Sequence, residues 1–440
     1  MINPDDLNIQ LTQDERDILK GAQGPVMAKV MQTVVLYAEA MTAERLVEIE
    51  GPGHFVIPWA SPGIAPPIEM LEELVAAGLK TKFPFTLDPH PPFDFDNLSL
   101  STEEQEAFKQ MYKDQSSYDE LMIALGLRDE DAYTCNPYQP EVGNIPKPGT
   151  VLAWSESACA IYANSVLGAR TNRNAAIMDL LSNIVGKTPY IGLITDQGRK
   201  ANWLVELLFD ELPNPQLLGA AIGSKVQVGV PYITGLDCLL GKGINVETSD
   251  YLQEMGAACA TYSAVDLFHV EHITPEAVEH HRDLLLPEHS TYLISDDELR
   301  SQFLSYPLLW TDRDAVPSRC YIGCPHLSLR QINWWVENLE QALQKRKQER
   351  IAIETTICAA PQVLQHFESD QASYAKLKNM GVKLSPACSE TVFETGLNTG
   401  KPMITNSNKL RAYTSARFYP DEQLVDILVG SDQGGATQSE

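Results

Sequence analysis

The sequence predicts an α/β protein of mostly parallel sheets, arranged as about three α/β/α lobes. Three observations carry this expectation. Short β-rich runs alternate with amphipathic helical stretches along most of the chain, the pattern of parallel sheets flanked by helices. Helix starts carry capping chemistry: Thr12 with Glu15 three residues on, and Thr274 followed by Pro275. The 440 residues, 44% hydrophobic and 21% charged, supply enough apolar material for more than one core.

In chain order, residues 13–41 read as helix with an apolar stripe, and "RLVEIE" (45–50) as a strand. "GPGHFVIPWASPGIAPP" (51–67) is a Gly/Pro-rich loop carrying His54. Residues 68–89 read as helix, Gly78 cap, then strand. Residues 88–132 start polar and Pro-rich and then turn helical. From Tyr133 a second series begins. Residues 150–186 read as strand, loop and one long helix, and "PYIGLIT", "KVQVGVPYITGL" and "AVDLFHV" as short β-rich runs. A last unit opens near Ser318, with an amphipathic helix in "LSLRQINWWVENLEQALQKRK" and a strand in "RIAIETTI". "GVKLSPACSE" and "KPMITNSNKLRAYTSARF" supply its strand-and-loop pieces. The expected lobes are 1–132, 133–317 and 318–430, with a frayed polar tail at 431–440.

Charge narrows the function. With 33 basic and 59 acidic residues the formal net charge is −26, so nucleic acid and anionic membrane are not expected partners. The N-terminus is acidic and lacks an apolar signal core, and no run reaches the ~18 apolar residues of a membrane span. A cytoplasmic protein is expected. Its eight cysteines, spread from 135 to 388, then read as thiols or metal ligands rather than disulfides.

Three of those cysteines stand where a β-like run gives way to a polar or Pro-rich turn: Cys135 in "YTCNPY", Cys324 in "IGCPH" and Cys388 in "SPACSE". Strand-end loops are where α/β proteins build sites. Spacing alone leaves a shared metal and separate structural thiols both open. Cys159, Cys238, Cys259 and Cys358 sit among Ala, Leu, Ile and Thr as small hydrophobes do, and Cys320 fits either role. The densest polar stretch, "WSESACAIYANSVLGARTNRN" (154–174), offers Glu156, Ser157, Asn164, Ser165, Arg170, Thr171, Asn172 and Arg173. It suits a lined pocket with Arg as a carboxylate partner, or an ordinary capped helix start. His269 and His272 read as core histidines or acid–base groups. "ITNSNK" (404–409) places Ser407 and Lys409 directly after a strand. There is no Walker loop and no G-x-S-x-G elbow.

The ordered motifs "YTCNPY", "AWSESACAIYANSVLGARTNR", "FHVEHITPEA", "GCPHLSL" and "TNSNK" resemble the large, catalytic part of the aconitase X family, over residues 11–429. The resemblance implies an aconitase-like fold of about three lobes around an iron–sulfur cluster, [4Fe-4S] or [2Fe-2S], held by Cys135, Cys324 and Cys388. It implies a hydro-lyase acting on a small hydroxy acid of the cis-3-hydroxy-L-proline kind, or on mevalonate 5-phosphate. Glu156, Ser157, His269 and Lys409 are then the catalytic candidates, and His54, Asn164, Ser165, Arg170, Thr171, Asn172 and Ser407 the substrate-binding ones. A small swivelling subunit with a Ser-rich loop is expected to bring the base, making a heterodimer. Two competing readings are a cysteine hydrolase pairing Cys135 or Cys324 with His326, and a non-catalytic zinc or thiol protein on the same fold. The chain departs from the family pattern around His54, in the long acidic segment 88–132, and before Cys388, where an Asp-Thr pair is missing.

Overall fold

Two all-parallel sheets position the site. The structure is a computed structural model that describes residues 7–56 and 65–430. The rest of the Gly/Pro-rich stretch, 57–64, and the expected tail lie outside the described residues. One sheet runs in the order His269–Val270, Pro231–Thr234, Ala201–Leu207, Leu285–Ile294. The other runs Val382–Ser385, Glu354–Ala359, Arg319–Leu327, Met403–Thr405, Arg417–Phe418. Parallel strands covered on both faces read as continuous apolar runs rather than alternations, and Cys320 through Leu327 is buried throughout.

That strand is broken where it matters. Ile357 pairs with Ile322, but the next pair is Ala359 with Leu327, so residues 323–326 bulge from the ladder. Two residues force this. Pro325 has no N–H to donate, and Gly323 sits at φ +98° with any Cβ only 2.2 Å from the Cys358 carbonyl oxygen, a place for glycine alone. The bulge carries Cys324 out of the sheet, with the Cys324–Pro325 peptide cis.

Among the described residues the first part of the chain is mainly helical, with strands only as short pairs: Leu46–Glu48 antiparallel to Lys187–Pro189, and His54–Phe55 parallel to Thr86–Leu87. Helix Pro25–Ala40 buries Met31, Val34, Val35 and Ala38 there, the apolar stripe seen in the sequence. The long helix expected in 150–186 is two, Ser157–Ser165 and Ala176–Val185. Between them the chain doubles back beside Val151–Leu152, whose Leu152 N–H donates to the Arg170 carbonyl. Asn164 closes this turn, accepting from the Thr171 N–H (2.9 Å) and donating to the Thr171 carbonyl (2.9 Å). Short amides of this kind compete with helical hydrogen bonding. "PYIGLIT" is not a strand past Pro189, because Asn172 accepts from the Leu193 N–H (2.7 Å) and turns the chain.

The acidic segment 88–132 forms helices Thr102–Met111 and Gln115–Leu125. Glu104 latches it to the cysteine-bearing strand. It completes a capping box with Ser101 and accepts from both Arg319 terminal nitrogens at 2.8 and 2.9 Å. Burial works to raise its carboxyl, but Arg319 and Ser101 hold it at about 2. A carboxyl depressed in the fold stabilises above its ordinary value and loses that contribution as pH falls through the folded value. Glu104→Gln should therefore cost about 2 kcal/mol at neutral pH, measured by urea unfolding. The gap to wild type should narrow below pH ~4.5, towards about 2, where Glu104 itself becomes neutral.

Candidate active site

The three cysteines singled out by context come within electrostatic reach of one another. Cys324 is buried, and Cys135 and Cys388 are half-buried. Burial raises the Cys135 thiol and Cys324 raises it further. Cys388 is raised by burial, then by Glu390, Cys324 and Cys135. Burial pushes Cys324 to about 12 against the pull of Lys409.

His326 ties the three cysteine loops together. Its N–H donates to Cys135 Sγ (3.1 Å), its Nε2 donates to the Ala387 carbonyl next to Cys388 (3.4 Å), and its Nδ1 faces the hydroxyl of Thr134 next to Cys135 (3.2 Å). Its carbonyl accepts from Asn136 and from Gln253 (3.2 Å). Burial pushes the ring down to about 4, so it is neutral and serves as a strut. Ser407 caps helix Asn408–Tyr413 and donates to the Cys324 carbonyl. Cys159 Sγ reaches the Cys135 carbonyl at 3.0 Å. Cys320 faces the sheet core.

A cavity of about 780 Å³ opens beside Cys388, with Asp88, Glu156, Ser157, Arg173, Glu390 and Lys409 on its wall. Glu156 caps helix Ser157–Ser165, accepting from the Cys159 N–H (2.6 Å), and its other oxygen meets Lys409 Nζ at 2.6 Å. Burial works against both charges, but each holds the other. Glu156 stays at about 2, and Lys409 lies above its ordinary value, helped by Glu390 and Asp88. Ser157 Oγ donates to Glu156 (3.2 Å). His54 is buried behind this wall, its Nδ1 2.9 Å from Thr86 Oγ1 and its Nε2 3.4 Å from Asp88 Oδ1. Burial raises Asp88 to about 6, opposed by the neighbouring His54 ring.

Asn164, Ser165, Arg170, Thr171, Asn172 and His269 are not brought to this wall. They belong to a network around Arg199, which is 1% exposed. Arg199 Nε donates to Glu276 (2.7 and 3.0 Å), and its terminal nitrogens to Asn164 Oδ1 (3.1 Å), the Asn164 carbonyl (2.9 Å) and the Leu193 carbonyl (3.0 Å). His269 Nε2 donates to the Arg199 carbonyl (2.9 Å), and burial takes the ring to about 4. Ser165 accepts from the Phe268 N–H (2.9 Å), and Thr171 from the Trp154 N–H (3.0 Å). Arg170 is turned away to Asp196 (2.6 Å) and the Ile194 carbonyl (3.0 Å). Asp88, Glu390 and Arg199 were not singled out as site residues from sequence, and His326 was considered only as the partner of a cysteine nucleophile. Asp88 carried a usable signal, since it directly follows the strand Thr86–Leu87.

Two family descriptions match this chain: aconitase X first domain over residues 8–197 and aconitase X second domain over residues 201–303. The chain belongs to the aconitase X family and corresponds to its large subunit. It is 32% identical to the phosphomevalonate dehydratase large subunit of Thermococcus kodakarensis, over 73% of this chain and 75% of that one. It is 28% identical to the same-named subunit of Methanocaldococcus jannaschii, over 92% and 94%. It is 27% identical to the cis-3-hydroxy-L-proline dehydratase of Hypocrea jecorina, over 94% of this chain and 67% of that one. The crystal structure of Thermococcus kodakaraensis aconitase X in its holo-form superposes with a TM-score of 0.78 at 28% identity, over 95% and 99%. The α/β fold with parallel sheets is that of this family, and the named relatives are dehydratases, which are hydro-lyases.

Cluster chemistry fits the donor set. Among the described residues no three His, Cys, Asp or Glu side chains converge on a single metal ion. An iron–sulfur cluster makes a different demand, because its thiolates bind separate iron atoms. Cys324 raises Cys135 and both raise Cys388, so the three are poor company as anions until cations are shared among them. His326→Ala should remove the strut, destabilise the fold by about 2–4 kcal/mol and speed maleimide labelling of Cys135 and Cys388 in metal-free protein. Labelling of Cys259, 1% exposed in helix Val246–Thr261, should not change; peptide mass spectrometry reads all three.

Proposed function

We propose that this chain is the large subunit of an iron–sulfur dehydratase acting on a small hydroxy acid that carries an ammonium group, of the cis-3-hydroxy-L-proline kind. The observation that carries the reading is that Cys388 lines the cavity that also holds the Lys409–Glu156 pair, with Cys324 within reach of Lys409 and Cys135 within reach of Cys324. Cys135, Cys324 and Cys388 would hold the cluster. When bound, it supplies a Lewis acid for the substrate hydroxyl.

The chain's own residues frame the elimination. The C–H proton leaves to a base, the C–O bond breaks, and the departing hydroxide takes a proton. Asp88, steadied by His54 and raised to about 6, is the proton donor to that hydroxide. Lys409 faces the negative charge that develops on the substrate, with Glu156 and Ser157 fixing its ammonium. The base comes from a small partner subunit. Two features support that partner: relatives carry the name large subunit, and the fungal dehydratase has additional chain beyond the stretch this one matches. The cysteine-hydrolase reading loses support because the His326 ring is held by Thr134 and Ala387, and only its backbone amide meets Cys135.

The wall favours the ammonium substrate. Four acids, Asp88, Glu156, Glu390 and Glu394, face two bases, Arg173 and Lys409. Glu156 already fills the helix N-terminus at Ser157, the place where an anion would otherwise dock. A second reading, mevalonate 5-phosphate, rests on the names of the archaeal relatives. The test is water elimination from each compound by this chain reconstituted with iron, sulfide and the small partner. Turnover of cis-3-hydroxy-L-proline is expected, whereas turnover of the phosphate alone would transfer the assignment to the second reading, and turnover of neither would sink the dehydratase proposal. Asp88→Asn should lower kcat about 10²–10³-fold at unchanged iron content. Wild-type kcat should decline as pH rises through about 6, where Asp88 loses its proton, and the variant should lack that limb.

A further inference from the structure

Among the cavity's cations, Lys409 is neutralised by Glu156 at 2.6 Å. Arg170, the arginine that the sequence favoured as a carboxylate partner, is turned away to Asp196. Arg173 is different. It lies on the cavity wall, and its Nε meets Asp266 Oδ1 at 3.0 Å. Among the described residues, no partner engages its two terminal nitrogens. Its backbone takes φ +50°, a left-handed conformation that a long side chain adopts only when its surroundings impose it, and such residues cluster at sites.

The surroundings are specific. Asp266, the ion-pair partner of the guanidinium, is 13% exposed. Its carbonyl accepts from Asn164 Nδ2 (2.8 Å), and Asn164 is fixed in turn by Arg199 (3.1 and 2.9 Å). The buried Arg199 network thus ends at the residue that orients Arg173. A guanidinium drawn to one side by its ion pair with Asp266 keeps its terminal nitrogens as a planar two-donor fork, the geometry that matches one carboxylate.

We propose that Arg173, oriented by Asp266, is the specificity-determining anchor for the substrate's carboxylate. This rests on the dehydratase reading for what the carboxylate belongs to, but the fork itself can be tested without turnover. The probes are cis-3-hydroxy-L-proline and its carboxamide, with the reconstituted complex, scored by two separate readouts: binding, followed by ligand-observed NMR, and water elimination. Wild type should bind the acid about 10–100-fold more tightly than the amide, the span expected for hydrogen bonds to a charged group.

Arg173→Gln should abolish that preference by weakening the acid and leaving the amide unchanged, which a merely structural defect would not do. Arg173→Lys should keep part of the preference. Asp266→Asn should reduce it, since the fork remains but is no longer held. The proposal is overturned if wild type shows no preference for the acid or if Arg173→Gln retains it. Loss of elimination with the binding preference intact would count against the dehydratase reading and for the anchor.

Discussion

Burying several like-charged or potentially charged groups together is the constraint on which this structure turns. Cys324, Asp88, Glu156 and Glu390 surround one lysine, and Cys135 and Cys388 adjoin Cys324. Left alone, each would resist ionisation in that setting. Lys409 relieves the carboxylates by its ion pair with Glu156, and it draws down Cys324 as well. Burial leaves the three thiols raised and therefore neutral.

Holding such groups in register takes rigid support, and the support comes from strand ends. Gly323 and Pro325 break the central strand so that Cys324 leaves the sheet. Ser407 pins its carbonyl, and His326 braces the Cys135 and Cys388 loops against it. The Cys388 N–H donates to the His90 carbonyl (3.1 Å), which joins the loop after Asp88 to the same cluster of turns. Residues from far along the chain thus share one frame of hydrogen bonds that tie side chains to main-chain groups, and that frame braces the cavity wall.

Part of this was legible in the sequence. Each of the three cysteines follows a β-like run and meets a turn, and that local grammar singled them out before any contact was known. Glu156, Ser157 and Lys409 were legible too, as polar groups at a helix start and just past a strand. The Arg199 network was not. A pocket wall and a buried structural network both need short hydrogen-bonding residues in an apolar frame, so 154–174 gave one signal for two purposes. Only the return of the chain at Asn164–Thr171 separates them, sending Arg173 to the wall and Arg170 away. Strand Leu285–Ile294 went unread because it is a sheet edge with Glu288, Ser290 and Leu293 exposed, so it lacks the buried pattern. Asp88 and Glu390 acquire their character from partners distant in sequence, which no local window contains.

The measurement that bears most directly on the central claim is iron and acid-labile sulfide per chain in anaerobically prepared protein. Wild type would be compared with Cys135→Ala, Cys324→Ala and Cys388→Ala, with Cys259→Ala as the control thiol. The account predicts iron and sulfide in wild type and in the control, with loss in each of the three variants and no loss of folded protein by circular dichroism. Wild type free of iron after reconstitution, or variants that retain as much as wild type, would contradict it.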